Sequence, residues 1–139
     1  MKRTILISLI VGITLIFGSW AMAAPRTAVP LPAPTGLTCT TDGDSVSLGW
    51  DDVVGAKKYS VDVEVLISGS WDEGVIVKLS FGTSASDLDV LFTDFVYDFG
   101  EGPVQVYGEA RAKVKALNPP GKSQNHPFSD PPCEFTIPE

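Results

Sequence analysis

Histidine and cysteine are scarce in this sequence of 139 residues, which has one histidine and two cysteines. The cysteines do not form a C-x-x-C pair, and His126 alone cannot complete a four-ligand metal site. His126 is followed by Pro127 and has no serine or cysteine nucleophile adjacent to it. The sequence therefore predicts a protein that is not an enzyme, with no catalytic residue, no metal site and no cofactor.

Basic residues are also few: 10 lysines and arginines stand against 17 acidic residues, for a formal charge of −7. Such a balance repels nucleic acid and anionic lipid surfaces, so no nucleic-acid partner is expected. The aspartates at 42 and 44, 51 and 52, and 94 and 98 could in principle hold calcium. Their spacing is not that of an EF-hand loop, and turn formation explains them more simply.

Long apolar runs are confined to the N-terminus. Lys2 and Arg3 precede an apolar segment from Ile5 to Phe17, and small residues follow at Ala21 and Ala23. This order is typical of a signal peptide over residues 1–23. The alternative is an uncleaved anchor of about 20 residues. Cleavage would leave 116 residues of formal charge −9, without a membrane-inserted segment, in the periplasm or outside the cell.

Cys39 and Cys133 lie near the two ends of the mature chain. Their even number and the oxidising compartment favour a disulfide between them. Residues 24–33, with the sequence APRTAVPLPA, are rich in proline and are predicted to form an extended linker. The folded domain is then predicted over residues 34–139.

Downstream of the linker, apolar and polar residues alternate with the period of half-buried β-strands. The apolar positions of these strands fall into six groups: Val46, Leu48 and Trp50; Tyr59, Val61, Val63 and Val65; Val75, Val77 and Leu79; Leu88 and Val90; Val104 through Ala116 at every second residue; and Cys133, Phe135 and Ile137. The face from Val104 to Ala116 is expected to lie in the core. Asp42-Gly43 predicts a tight hairpin turn. No amphipathic helix is evident, so the class is all-β.

Four short patterns follow one another along the chain: Pro34-x-x-Leu37, Val46-x-Leu48-x-Trp50, Ala56-x-x-Tyr59-x-Val61 and Ala112-x-Val114-x-Ala116. This order resembles a fibronectin type III domain over nearly all of residues 33–137. The resemblance implies an immunoglobulin-like β-sandwich of about seven strands, with Trp50 and Tyr59 in the core and the terminal strands close together. The family's tyrosine corner would fall at Ala110, so it is absent or is supplied by Tyr107.

The segment from Phe92 to Pro103 is longer than the short connection that this family has there. It looks like an elaboration special to this protein or its closer relatives, which resemble small secreted bacterial domains. Its aromatic residues are too apolar for a solvated loop. We expect it to pack on the sandwich with Phe95 and Phe99 facing the core and Tyr97 more exposed. The alternative is that part of it forms a partner-binding patch.

Loops are the expected place for recognition in a sandwich of this kind. Trp71, in the loop Ser68 to Gly74, is either a binding residue or a lid folded back over the sheet edge. The loop Asn118 to Asp130 offers a second set of candidate ligand-binding residues, namely Lys122, His126 and Phe128. As a general base, His126 is disfavoured, because a histidine in so proline-rich a loop is usually a surface residue.

Arg111, Lys113 and Lys115 form a basic stripe on the outer face of their strand, which either pairs with neighbouring acids or meets a partner. We favour pairing within the sheet. The predicted function is a non-catalytic exported interaction module of the cell envelope or secretome that binds a protein or glycan. The alternative is a structural subunit that assembles through an edge strand or the N-terminal arm.

Overall fold

The computed structural model describes residues 30–118 and 126–139. Over these ranges the chain forms nine β-strands and one short 3-10 helix, Phe92–Asp94. The strands are β1 Thr38–Asp42, β2 Ser45–Gly49, β3 Lys58–Ser68, β4 Val75–Thr83, β5 Asp87–Leu91, β6 Val96–Asp98, β7 Pro103–Gln105, β8 Gly108–Leu117 and β9 Cys133–Ile137. None of the helical structure in the described ranges is long and apolar enough to cross a membrane.

Seven of these strands form two antiparallel sheets. One sheet has the order β1-β2-β5 and the other the order β4-β3-β8-β9, while β6 and β7 pair only with each other. Buried side chains from both sheets share one hydrophobic core. The result is the all-β sandwich of seven strands that the sequence predicts, with the β6–β7 hairpin added between β5 and β8.

The alternation of side chains along β2 and β3 builds the centre of the core. Val46 and Leu48 on β2 are buried, as are the inward residues of β3. Trp50 follows β2 and packs edge-on against Tyr59, with ring centroids 5.3 Å apart. The Tyr59 hydroxyl accepts a hydrogen bond from the Val53 N–H at 3.0 Å, which ties the β2–β3 connection to the core.

The hairpin between β1 and β2 is tight, as predicted, but its turn is one residue further along. Asp42 pairs with Ser45, so the two turn residues are Gly43 and Asp44. Gly43 has φ of +56°, a conformation that glycine adopts without steric cost.

The long alternation from Val104 to Ala116 is broken rather than continuous. Its second half, β8, buries every second residue from Ala110 to Ala116 as predicted. Val104 lies on β7 and is exposed, so its assignment to the core is wrong. Tyr107 is also exposed. This favours the first of the two expectations, that the tyrosine corner is absent, over its being supplied by Tyr107.

The break lies just before Gly108, the first residue of β8. Its φ of +129° is in practice adopted only by glycine. A β-carbon there would lie 2.5 Å from the Leu66 carbonyl oxygen. We expect Gly108→Ala to lower the free energy of unfolding by about 1–3 kcal/mol, through backbone strain and this clash. Urea unfolding measures the change.

Gly82→Ala on β4 is the matched control, because a β-carbon there meets nothing nearer than the Tyr59 carbonyl oxygen at 4.0 Å. Its stability should be unchanged or slightly raised. Equal unfolding midpoints for the two variants would contradict the proposed strain at Gly108.

Cys39 on β1 and Cys133 on β9 form a disulfide, as predicted, with α-carbons 6.0 Å apart. β1 and β9 are edge strands of different sheets. The bond therefore joins the two sheets along one open side of the sandwich.

The last residues of the predicted linker lie against this sandwich. Leu31 packs on the core and Pro34 is fully buried. The Leu31 N–H donates a hydrogen bond to Nδ1 of His126 at 3.3 Å. Packing thus reaches back to Leu31, while the boundary at residue 34 stays a prediction. The predicted signal peptide and residues 24–29 of the linker lie outside the described residues.

The segment from Phe92 to Pro103 is packed at its start and projects at its end. Phe95 is fully buried, as predicted, and its ring centroid lies 5.4 Å from that of Phe81 and 6.0 Å from that of Phe135. Phe99 is 54% exposed, so its assignment to the core is wrong. After Phe95 the chain leaves the sandwich as the β6–β7 hairpin. Phe99 instead packs edge-on against Tyr97, which is exposed as expected.

Candidate functional site

A row of alternating charges crosses the outer face of the four-stranded sheet. Glu64 on β3 lies opposite Lys78 on β4 and Arg111 on β8, and Arg111 in turn lies opposite Glu134 on β9. Lys78 Nζ is 3.2 Å from a Glu64 carboxylate oxygen, and Arg111 Nε is 3.0 Å from one of Glu134. Arg111 is therefore paired within the sheet, as predicted.

The rest of the basic stripe is less fully paired. Lys113 lies opposite Asp62, whose carboxylate accepts hydrogen bonds from the hydroxyls of Ser80 at 2.8 Å and Ser60 at 3.3 Å. Among the described residues, neither Lys113 nor Lys115 has a carboxylate within ion-pair distance. Neither ammonium group is therefore neutralised by a carboxylate of the described residues.

Trp71 lies on this same face, at the end nearer the β3–β4 loop. That loop is closed by a hydrogen bond from the Gly74 N–H to the Ser70 carbonyl oxygen at 2.6 Å. The half-buried ring stacks on the Arg111 guanidinium, whose Cζ is 4.0 Å from the ring centroid. The chain has thus turned the ring back over the outer face of the sheet, where it remains partly open to solvent.

Phe128 lies toward the other end of the face, with its ring centroid 4.7 Å from Lys115 Nζ. Arg111 and Lys115 are four residues apart on β8, which corresponds to about 13 Å along a strand. Two aromatic rings from different loops therefore stand on two cations of one strand. We call this surface, from Trp71 to Phe128 with the charged side chains between them, the charged face.

Two grooves run along the charged face. The larger, of about 430 Å³, lies beside Trp71 and is lined by Glu109, Ala110, Arg111, Glu134, Phe135 and Thr136. The smaller, of about 140 Å³, lies beside Phe128 and is lined by Asp62, Glu64, Lys78, Arg111 and Lys113. Arg111 borders both grooves, so it is the central residue of the surface.

The other two predicted ligand-binding residues do not join this face. His126 is only 8% exposed, so the prediction of a surface residue is wrong. The reason is packing, because the N-terminal segment lies against His126 and its imidazole Nδ1 accepts a hydrogen bond from the Leu31 N–H. Lys122 lies outside the described residues.

The charges of this face contribute little to folding. In the Arg111–Glu134 pair the side chains are 34% and 67% exposed, and ion pairs of this kind contribute less than about 1 kcal/mol. A cation over an exposed ring adds about as little. Substitutions on the charged face should therefore leave the protein folded.

Sequence reasoning found the two aromatic residues and the basic half of this face but missed the acidic half. Asp62 and Glu64 occupy the outward positions of β3, between buried valines. Their alternation was visible in the sequence. The pairing of β3 with β8, which brings them beside the basic stripe, was not.

No family model and no curated protein matches the chain. Among solved structures, the third fibronectin type III domain of human KIAA0343 protein aligns with 87% of this chain and 93% of its own length, at 18% identity and a TM-score of 0.54. The fold is fibronectin type III-like. A fibronectin type III domain of human collagen alpha-1(XX) aligns with 84% of this chain and 93% of its own, at 17% identity and a TM-score of 0.46.

Within this fibronectin type III-like fold, the charged face belongs to the larger sheet and to the loops at its two ends. Trp71 comes from the β3–β4 loop and Phe128 from the β8–β9 connection. Both rings are carried by connections, while the charges between them stand on paired strands. Charged side chains on paired strands are thus flanked at each end by an aromatic ring from a loop.

Proposed function

We propose that this protein is an exported, non-catalytic interaction module of the cell envelope or secretome, and that it binds a protein or glycan through the charged face. The observation that carries the proposal is the placement of Trp71 and Phe128. Two separate loops deliver these rings onto Arg111 and Lys115 of one strand. Neither ring is needed in the core.

The dimensions and chemistry of the face fit an extended ligand. About 13 Å separates the two cations, which is the length of about four residues of extended peptide. Tryptophan and arginine are the side chains that most often dominate binding energy at interfaces. The mixed charges between the rings supply hydrogen-bond donors and acceptors, which select among ligands more than they add affinity.

Three further features support the export and the non-catalytic character. The Cys39–Cys133 disulfide is of the kind that persists in oxidising compartments. The signal-peptide pattern of residues 1–23 points to the same compartments. Fibronectin type III domains are generally non-catalytic, and this likeness of fold favours binding as the function.

Arrays of immobilised glycans and envelope proteins, probed with the exported protein, test the proposal. Trp71→Ala and Phe128→Ala should each weaken the strongest interaction at least tenfold, because each removes a stacking surface. Val54→Ala is the control, since Val54 is 96% exposed on the β2–β3 connection. Mass spectrometry of the same sample should give the mass of residues 24–139. Binding that survives both aromatic substitutions would refute the charged face as the site.

Light scattering distinguishes this proposal from the alternative, a structural subunit that assembles into polymers. The N-terminal segment from Leu31 is held by its own domain through His126, and the edges of β1 and β9 are joined by the disulfide. Both contacts favour a monomer. Polymers that grow with concentration would support the assembly instead.

A further inference from the structure

The β6–β7 hairpin exposes a second surface, at the end of the sandwich away from Phe128. Its large apolar side chains are between 37% and 54% exposed. Three of them share one face of the hairpin, since Tyr97 pairs with Val104 across it and the Phe99 ring packs edge-on against that of Tyr97. We call this surface the hairpin patch. Apolar exposure concentrated in one short segment is typical of an interaction site.

The hairpin patch is held in a fixed shape. At its base, the Val106 N–H donates to the Phe95 carbonyl oxygen at 2.8 Å, and Phe95 itself is anchored in the core. At its tip, one Asp98 carboxylate oxygen accepts the N–H groups of Gly100 at 2.7 Å and Gly102 at 3.1 Å. A surface ordered in advance loses little conformational entropy when it binds.

The same end of the molecule also carries the β1–β2 turn and the β3–β4 loop. The Asp44 carbonyl oxygen accepts the Phe92 N–H at 2.8 Å, and Gly108 lies beside Leu66. Across residues 40–46, 67–75, 91–109 and 136–139 there is no lysine or arginine. The acidic residues there are Asp42, Asp44, Asp72, Glu73, Asp94, Asp98, Glu101, Glu109 and Glu139. Every charged side chain that these segments contribute is therefore acidic, and the Arg111 guanidinium beside Trp71 comes from the neighbouring charged face.

We propose that the hairpin patch docks a protein partner whose contact surface is apolar and bordered by lysine and arginine. Charge complementarity favours this partner over a second copy of the chain and over an anionic membrane surface. In a symmetric pair of copies joined through this patch, the acidic residues around one patch would face those around the other and repel. An anionic membrane surface would be repelled in the same way. The apolar residues of the hairpin patch are not part of the charged face, although Glu109 borders both surfaces, and docking there does not depend on the function proposed for that face.

Panning of a phage-displayed library of random 12-residue peptides against the exported protein tests the inference. Peptides are counter-selected on the double variant Phe99→Ser, Val104→Ser, in which both exposed side chains lose their apolar character. Val54→Ser is the control, because Val54 is exposed at the opposite end of the sandwich. All three proteins should have melting temperatures within a few degrees of one another.

The retained peptides should combine lysine or arginine with apolar residues. Their affinity should fall at least tenfold on the double variant, stay unchanged on Val54→Ser, and weaken when salt is raised from about 50 to about 500 mM. Enrichment of acidic or uncharged peptides, or equal binding to both variants, would overturn the inference. A wild-type dimer that the double variant abolishes would also overturn it, because the occupant would be a second copy.

Discussion

Trp50→Ala is expected to leave the protein largely unfolded at room temperature. The indole is 7% exposed and packs edge-on against Tyr59 between the two sheets. Truncation of a buried aromatic residue costs about 3–5 kcal/mol, because the lost burial is added to the cost of the cavity. That is much of the stability of a domain of this size. Thermal unfolding followed by circular dichroism gives the result directly.

Trp71→Ala is the matched control, since it removes the same side chain from a partly exposed position. We expect it to lower the melting temperature by only a few degrees. If Trp50→Ala also melted within a few degrees of wild type, then Trp50 would not be a core residue and the register of β2 would be wrong.

Loss of the disulfide is the second large effect. In the double variant Cys39→Ser, Cys133→Ser, the free energy of unfolding should fall by about 4 kcal/mol, since the bond closes a loop of 94 residues. On the chain-entropy model the effect arises in the unfolded chain, whose conformational entropy rises when the disulfide is removed. Urea unfolding of both proteins, with and without reductant, measures it.

Reductant provides the internal control for that experiment. It should destabilise the wild type toward the level of the double variant and leave the variant unchanged. Mass spectrometry of the exported wild type should show the loss of two hydrogens relative to the free thiols. Two free thiols, or equal stability of the two proteins, would contradict this assignment.

The strands of the sandwich could be predicted from the sequence because their inward positions repeat every second residue. Val46, Leu48 and the valines of β3 follow this rule without exception. Phe99 and Val104 do not, since the β6–β7 hairpin carries them beyond the core. Composition indicates that an aromatic residue is stabilised by burial. It does not show whether the backbone places that residue close enough to the core to be buried.

The candidate site was predictable in part for the same reason. Trp71 and Phe128 stood out as large aromatic residues in polar loops, but their meeting on one face depends on pairing between β3 and β8. The burial of His126 could not be predicted, because it depends on Leu31, 95 residues earlier. Contacts at such separation leave no local signal in the sequence.

The link between β1 and β9 also determines how the protein responds to tension. A force applied at the two ends of the chain enters before Cys39 and leaves after Cys133, so it passes through the disulfide and bypasses the strands between them. Those residues would otherwise extend by up to about 320 Å. Under tension at its ends, the oxidised protein can lengthen only through the segments outside the disulfide loop, and the chain between the cysteines stays folded without bearing load.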